Sequence, residues 1–344
     1  MGRPRRRAPG GEGGRAGVSA GGVALSLAFT LITAAGALAA LLWMDWNRPG
    51  PGPAQTFIVE RGAGVSSVGK ALQQQGLVRS ATIFRLASEV YARRGVKAGE
   101  YELPARASIA QILQRLVDGA VVRHTLTVPE GVTSAGVVEI LANEPTLSGP
   151  APEAPPEGSV LPETYTFERG EARAALLARM QSAQGVLLQE LWEDRAPDLP
   201  LASKEEAVIL ASIVEKETGL AEERPQVAAV FVNRLRRGMR LESDPTIIYG
   251  LTKGVPLGRG LRRSEIDRPN PYSTYQINGL PPTPIANPGR EAIAAVLNPP
   301  ASEALFFVAD GTGGHAFAAT YAEHEANVRR WREIERARAQ GAAP

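Results

Sequence analysis

The chain has 344 residues, 22% of them charged, and a formal net charge of +2, so it is long enough for two or more domains and is not strongly basic overall. Cysteine is absent, which excludes disulfide bonds and thiolate metal sites. The three histidines, His124, His315 and His324, lack the spacing of metal ligands, and we predict neither a metal nor a cofactor.

The amino-terminal region combines positive charge with an apolar run. Arginines, glycines and prolines over residues 1–22 predict a disordered basic tail. Residues 23–42 contain no charge and no proline, and a helix of this length spans the roughly 30 Å core of a bilayer. Trp43 and Trp46 suit the membrane interface, and the preceding arginines place the amino terminus in the cytoplasm and the remainder outside. We favour an uncleaved anchor over a cleaved signal peptide, because the apolar run continues past the cleavage-like Ala37–Ala39.

A linker over residues 43–55, rich in proline and glycine, leads into a small subdomain predicted over residues 56–120. Its predicted elements, in the order strand, helix, helix, strand and helix, cover residues 56–60, 65–75, 81–94, 98–103 and 108–116. The strand–helix–helix–strand layout resembles the small glycan-binding LysM module. We therefore expect this subdomain to bind glycan.

Residues 121–338 are predicted as a second, mixed α/β domain, and residues 339–344 as a tail. A strand over 121–128 and a helix over 133–143 precede a loop rich in proline and glutamate. A long helix over 171–192 follows. These elements lead up to the segment that carries the candidate chemistry.

Ser203–Gly219 reads as one helix with both ends marked. Ser203 and Glu206 form a predicted capping box, and Gly219 is a candidate left-handed stop. Apolar residues spaced by three and four positions form one stripe, which Glu217 continues. An acid in that position is expected to be partly desolvated, which raises its pKa and suits a general acid. Glu215 lies about 200° away around the helix, so we expect it in solvent or in a salt bridge.

The chain after this helix supplies further candidates. A helix over 222–237 carries Asn233 on its polar face. Asp244 precedes proline and is either a helix N-cap or a site residue. A proline-stiffened loop with tyrosines, hydroxyls and amides follows over 270–289, and such rigid loops suit ligand clefts. The remaining predicted elements are a helix over 290–297, a hairpin with strands at 305–309 and 315–317, and a helix over 323–338.

Several motifs in one order resemble the YceG-like family of endolytic murein transglycosylases. They are EGSVLPETYTF, ASIVEKET, VFVNRLRRGMRLESDPTIIYG, YSTYQINGLPPTPIANPG and FFVADGTGGHAF, which begin at Glu157, Ala211, Val230, Tyr272 and Phe306. The resemblance covers nearly all of the chain after the arginine tail. It implies an α+β fold with a single transmembrane helix, a LysM-like βααβ module and a mixed α/β catalytic domain with a lysozyme-like catalytic helix.

The family reaction cleaves the β-1,4 bond from N-acetylmuramic acid to N-acetylglucosamine in peptidoglycan and leaves a 1,6-anhydro end. The resemblance implies Glu217 as the single acid and base, with Glu215 as the fallback. It also implies peptidoglycan strands, the inner membrane and cell-wall synthases as partners. Residues expected to shape the cleft are Asn233, Asp244, Tyr249, Tyr272, Thr274 and Tyr275. Two alternatives stay open: a glycan-binding scaffold without chemistry, and a water-using muramidase in which Asp244 is the second carboxylate.

Overall fold

The structure is a computed structural model that describes residues 20–92 and 95–340. The chain forms two compact units, one ending at Val122 and the other starting at Arg123. Both mix helices with two-stranded antiparallel sheets, so the fold is mixed α/β.

The first unit begins with α1 (Ala20–Asn47), which is longer than the predicted span. Among the described residues, α1 is the one helix that is long and apolar enough to cross a membrane, judged by length and composition. Its apolar side chains from Val23 to Met44 are exposed in the structure. A core-facing helix would bury them, so this exposure agrees with an environment other than water around α1.

The rest of the first unit is built on an antiparallel pair of strands, β1 (Gln55–Val59) and β2 (Gly99–Leu103), in which Phe57 lies opposite Tyr101. The helices that cover this sheet are α2 (Val65–Gln74), α3 (Ala81–Tyr91) and α4 (Ile109–Asp118). The order of elements matches the prediction; Arg93 and Arg94, predicted to end α3, lie outside the described residues. The likeness to a LysM module stays a prediction.

The segment between α1 and β1 has no regular secondary structure, yet its backbone is fixed to the first unit. The N–H of Gly50 donates to the carbonyl of Arg106 at 2.9 Å, and the N–H of Arg106 donates to the carbonyl of Gly52 at 2.8 Å. A Cβ at Gly50 would lie 2.3 Å from the carbonyl oxygen of Ala107, so only glycine permits this close approach.

The second unit opens with β3 (Arg123–Thr127), which pairs antiparallel with β4 (Thr164–Glu168). The sequence analysis did not predict β4 and treated this stretch as the approach to a helix. The strand forms because Tyr165 and Phe167 alternate with polar residues and point into the core. Helices α5 (Ser134–Asn143) and α6 (Arg173–Glu193) complete this part of the unit.

The predicted central helix is α7 (Lys204–Glu217), and all residues from Ala207 to Val214 are buried. Helices α8 (Arg224–Arg236) and α11 (Arg290–Leu297) pack on it, so the apolar surface extends all round the helix instead of along one stripe. The predicted cap at Ser203 is confirmed, since its hydroxyl accepts from the N–H of Glu206 at 3.3 Å, but the Glu206 carboxylate accepts from the N–H of Ala202 instead of that of Ser203. The predicted stop at Gly219 is wrong, because the helix ends at an extended Thr218 and Gly219 does not have a left-handed backbone.

The remaining elements are α9 (Asp244–Thr252), α10 (Arg263–Ile266), the antiparallel pair β5 (Phe306–Ala309) and β6 (His315–Ala318), and α12 (Tyr321–Ala339). The hairpin and the final helix agree with the prediction, whereas α10 was not predicted. The N-cap prediction for Asp244 is wrong, because Ser243 holds that position and Asp244 is the first helical residue. The Asp244 carboxylate is therefore available for other contacts.

Candidate active site

Glu217 is the last residue of α7, and it is largely enclosed while keeping some solvent exposure. The pKa of its carboxyl is raised from the ordinary 4.5 to about 7, mainly by burial and also by the neighbouring charge of Asp244, against the opposing effects of Ser243, His315 and Arg234. Near neutral pH the carboxyl is therefore divided between its protonated and ionised forms. A group in that state can both donate and accept a proton.

Ser243 lies beside this carboxyl, and its backbone is fixed from two sides. Its N–H donates to the Thr274 hydroxyl at 2.8 Å, and its carbonyl accepts from the Thr246 hydroxyl at 2.6 Å. The Ser243 hydroxyl is buried and has no hydrogen-bond partner of normal geometry among the described residues, although it is close enough to lower the pKa of Glu217. Thr274, one of the predicted cleft residues, thus acts behind the site by holding Ser243.

Asp244 and Tyr275 complete the immediate surroundings of Glu217. The Tyr275 hydroxyl donates to the Asp244 carboxylate at 2.9 Å. Burial raises the pKa of Tyr275, and the charges of Asp244 and Glu217 raise it further, which keeps the phenol protonated and able to donate. The structure therefore brings three of the predicted site residues together.

Arg234 holds the loop that carries Ser243. Its guanidinium donates to the carbonyl of Leu305 at 2.6 Å, to the carbonyl of Leu241 at 2.9 Å and to the Glu242 carboxylate at 3.0 Å. Glu242 itself has a left-handed backbone with φ of 55°, a strained state for a residue with a side chain. The buried guanidinium thus fixes a strained turn beside Glu217.

Tyr249 and Tyr272 form a second cluster. Their rings meet edge to face with centroids 5.0 Å apart, and the Lys253 ammonium lies 4.6 Å from the centroid of Tyr272. The Tyr249 hydroxyl donates to the Glu157 carboxylate at 3.2 Å, and burial raises the pKa of Glu157. Because Asp244 and Tyr249 lie on the same helix five residues apart, the two clusters are separated by roughly 8 Å along α9.

Glu215 has a different environment from Glu217. Its side chain is 4% exposed and accepts from the N–H of Gly289 at 3.0 Å and from Arg224 at 3.2 Å. Arg224 also donates to Glu130 at 2.8 Å. The salt bridge is one of the two environments that the sequence analysis expected, and it joins the end of α7 to two loops. Its fallback role as the acid remains an untested prediction.

Asn233 makes its contacts elsewhere. Its amide donates to the carbonyls of Ser302 and Ala304 at 2.7 and 3.1 Å. It lines a cavity of about 660 Å³ together with Arg236 and residues 299–303. Glu217, Asp244 and Tyr275 do not line that cavity, which we therefore separate from the candidate site. A role for Asn233 in the cleft stays a prediction without support from these contacts.

The sequence analysis missed several polar residues of this region, namely Glu157, Glu223, Arg234, Ser243 and His315. Ser243 carried a local signal, since it stands in the N-cap position directly before Asp-Pro. Glu223 and His315 are 92 residues apart, and no local pattern predicts that they meet. Within residues 20–92 and 95–340, no three or more His, Asp or Glu side chains are grouped in a way that could hold a metal ion.

Comparison with known proteins identifies relatives over most of the chain. The model of the YceG-like family matches residues 57–330. An endolytic murein transglycosylase of Streptococcus pneumoniae is 29% identical over 79% of this chain, and the alignment covers 57% of that relative's length. An endolytic murein transglycosylase of Bacillus subtilis is 27% identical over 77% of this chain and 81% of its own length.

A solved structure of a putative yceG-like protein from Listeria monocytogenes is 27% identical and covers 79% of this chain and 98% of its own, with a TM-score of 0.49. The chain spans little more than half the length of the pneumococcal relative. The family model, by contrast, matches well over half of the chain and leaves out only its two ends. The chain therefore belongs to the YceG-like family.

Proposed function

We propose that this protein is a membrane-anchored lytic transglycosylase that cuts newly made peptidoglycan strands at internal β-1,4 bonds between N-acetylmuramic acid and N-acetylglucosamine. Membership of the YceG-like family and the names of the matched relatives support the activity. The observation that carries the proposal is the environment of Glu217, whose pKa is raised to about 7 at the end of the buried helix α7.

One carboxyl group is sufficient for the proposed reaction. Protonated Glu217 donates its proton to the glycosidic oxygen as the bond from the anomeric carbon breaks. The carboxylate then accepts the proton of the muramic acid 6-hydroxyl, whose oxygen bonds to the anomeric carbon and forms the 1,6-anhydro ring. Because this nucleophile already belongs to the substrate, proximity replaces the water that a hydrolase must position.

The surrounding residues suit a carbohydrate. Tyr272 and Tyr275 are partly exposed, and aromatic rings with hydroxyl groups offer an apolar face and hydrogen bonds to a sugar. Tyr275 keeps its proton and remains bound to Asp244, so this pair gives the cleft a fixed polar wall next to Glu217. The Tyr249–Tyr272 cluster extends the polar and aromatic surface along α9.

The anchor places the reaction close to the membrane. We propose that α1 crosses the bacterial inner membrane once, with the basic amino terminus in the cytoplasm and the chain after α1 in the periplasm. New glycan strands emerge at that membrane surface, where cell-wall synthases make them. A partnership with those synthases follows from the family resemblance and from no residue described above.

The test is a digestion of purified sacculi with the wild-type protein and with Glu217→Gln, followed by mass spectrometry of the new ends. We expect 1,6-anhydro ends from the wild type and almost none from the variant. Reducing ends, heavier by one water, would overturn the lytic mechanism. Binding of sacculi without any product from the wild type would instead support a glycan-binding scaffold.

Asp244 gives a specific reason to consider a hydrolytic muramidase as the second candidate. Its charge acts on Glu217, so two carboxyl groups lie near each other as in hydrolases that use an acid and a base. In that case Asp244→Asn would abolish release as completely as Glu217→Gln, and the products would carry reducing ends.

A further inference from the structure

Glu223, the N-cap residue of α8, holds His315 at the start of β6. The Glu223 carboxylate accepts from the backbone N–H of His315 at 2.7 Å and lies 2.7 Å from the ring Nδ1 atom of the same residue. A Cβ at Gly314 would lie 2.5 Å from that carboxylate, so the close approach requires glycine. The backbone and the ring of His315 thus both contact Glu223, and the missing side chain at Gly314 leaves room for that contact.

The second ring nitrogen of His315 has no such partner. Nε2 makes no hydrogen bond to any residue of the described ranges. It is also not fully buried. The side chain is 19% exposed. Because Nδ1–H donates to a carboxylate, the neutral ring leaves its lone pair on Nε2, which can accept a hydrogen bond from a hydroxyl group.

The Glu223–His315 pair is tied to the end of the catalytic helix. The Thr218 hydroxyl, directly after Glu217, donates to Glu223 at 3.4 Å and accepts from the N–H of Leu220 at 3.1 Å. The charge that His315 carries when it is protonated lowers the pKa of Glu217, so the ring lies within electrostatic range of that carboxyl, whereas the neutral ring is the form that can accept a hydrogen bond through Nε2. The imidazole, at the start of β6, is therefore linked through Glu223 and Thr218 to the end of α7 that carries Glu217.

The ring is supported on its other sides as well. Its edge meets Phe307 at a centroid distance of 5.2 Å and an interplanar angle of 85°. The turn before it is closed by Asp310, which accepts from the N–H groups of Thr312 at 2.7 Å and Gly314 at 3.2 Å. Support at Nδ1, at the ring edge and in the preceding turn holds the imidazole in one orientation, as a substrate-binding group requires.

We propose that His315, oriented by Glu223, contacts the substrate and accepts through Nε2 a hydrogen bond from a hydroxyl of the sugar whose glycosidic bond is cleaved. This inference rests on the proposed function. The ligand is hydroxyl-rich, and the partly exposed imidazole lies within electrostatic range of the acid that protonates the bond. Glu223 is a positioning residue in this arrangement, since it reaches the substrate only through the imidazole.

Two substitutions separate substrate contact from structural support. His315→Asn keeps a donor where Nδ1 lies, and so the bond to Glu223, but removes Nε2. His315→Gln places an amide near the Nε2 position and gives up the donor at Nδ1. With the full-length protein in detergent and soluble, uncrosslinked glycan strands, we expect His315→Asn to lose about 100-fold in rate with an unchanged Tm, and His315→Gln to stay within about tenfold of the wild type.

A His315→Asn protein with the wild-type rate would overturn the inference, because the bond to Glu223 would then be the only role of the histidine. A lowered Tm in His315→Asn would overturn it too. A His315→Gln protein that loses as much rate as His315→Asn would also overturn it, because an acceptor near the Nε2 position would then not be what the reaction requires.

Glu217→Gln serves as the parallel control for the proposed function. Full activity of that variant would refute the role of Glu217 whatever His315 does, whereas an inactive Glu217→Gln beside a fully active His315→Asn refutes only the inference about His315. Calorimetry with the same strands gives a readout without turnover. We expect Glu217→Gln/His315→Asn to bind about tenfold more weakly than Glu217→Gln, and equal affinities would count against the contact.

Discussion

The end of α7 lies between two polar regions that are organised in opposite ways. On one side Glu215, Arg224 and Glu130 form an ion-pair network that also satisfies the N–H of Gly289. On the other side Glu217 is largely enclosed and forms no salt bridge with any described residue, and the buried Ser243 hydroxyl beside it has no hydrogen-bond partner of normal geometry among those residues. The ion pairs around Glu215 join loops to the core. The groups around Glu217 lack such partners, which is typical of a site that binds a ligand.

The largest effect should separate the two glutamates in activity. Glu217→Gln cannot donate a proton, and we expect its release of muropeptides from sacculi to fall by about 1,000-fold or more. Glu215→Gln keeps one oxygen, which can accept from Arg224 or from the N–H of Gly289 but not replace both carboxylate oxygens, and it leaves Glu217 in place, so its rate should stay within about tenfold of the wild type. An inactive Glu215→Gln protein with a normal Tm would mean that the two roles are assigned the wrong way round.

Removing the cation of the paired region should reduce stability. Arg224→Met leaves the buried Glu215 carboxylate without its ion pair, and we expect the free energy of unfolding to fall by about 3 kcal/mol. Urea unfolding followed by circular dichroism measures this change. Arg237→Met, at the exposed end of the same helix, is the matched control and should change stability by less than about 0.5 kcal/mol. Equal effects would show that the network contributes no more than a surface residue.

Around Glu217, removing the charge should increase the free energy of unfolding instead of reducing it. Because the pKa of Glu217 is about 7 in the folded protein and near 4.5 when unfolded, the folded state favours the protonated acid, and this contribution is lost as the pH rises through that window. Glu217→Gln should therefore be more stable than the wild type by up to about 3 kcal/mol at pH 8 and nearly equal to it at pH 4. Urea unfolding at both pH values measures it, with the exposed Glu325→Gln as control. A difference independent of pH would contradict the raised pKa.

The smallest effect concerns Ser243. Its hydroxyl lowers the pKa of Glu217, so Ser243→Ala should let that pKa rise and move the alkaline limb of the pH–rate profile to higher pH, with a maximal rate within about tenfold of the wild type. Ser273→Ala removes another buried hydroxyl without a partner and should leave the limb where it is. An alkaline limb that moves in neither variant, or equally in both, would mean that the Ser243 hydroxyl has no specific effect on the pKa of Glu217.

Local patterns predicted the elements better than the site. The bounds of α11 agree with the sequence, and the spacing along α7 led to Glu217, although the helix proved to be buried all round. The missed strand β4 shows alternating Tyr165 and Phe167, which a period of two could have revealed. Contacts between distant parts of the chain carried no such signal. Glu223 with His315, and Asn287 with the N–H of Val160, depend on the tertiary fold alone.

The segment after α1, over residues 48–54, has a consequence for the proposed membrane anchor. Arg79 donates to the carbonyl of Pro49 at 2.7 Å, and Trp46 packs edge to face on Tyr91 at 5.1 Å, so the last turn of the helix and the chain beyond it are fastened to the first unit. With α1 inserted in a bilayer, this connection would be rigid and not flexible. The part of the first unit that follows α1 would then keep a fixed distance from the bilayer surface and a fixed tilt to it.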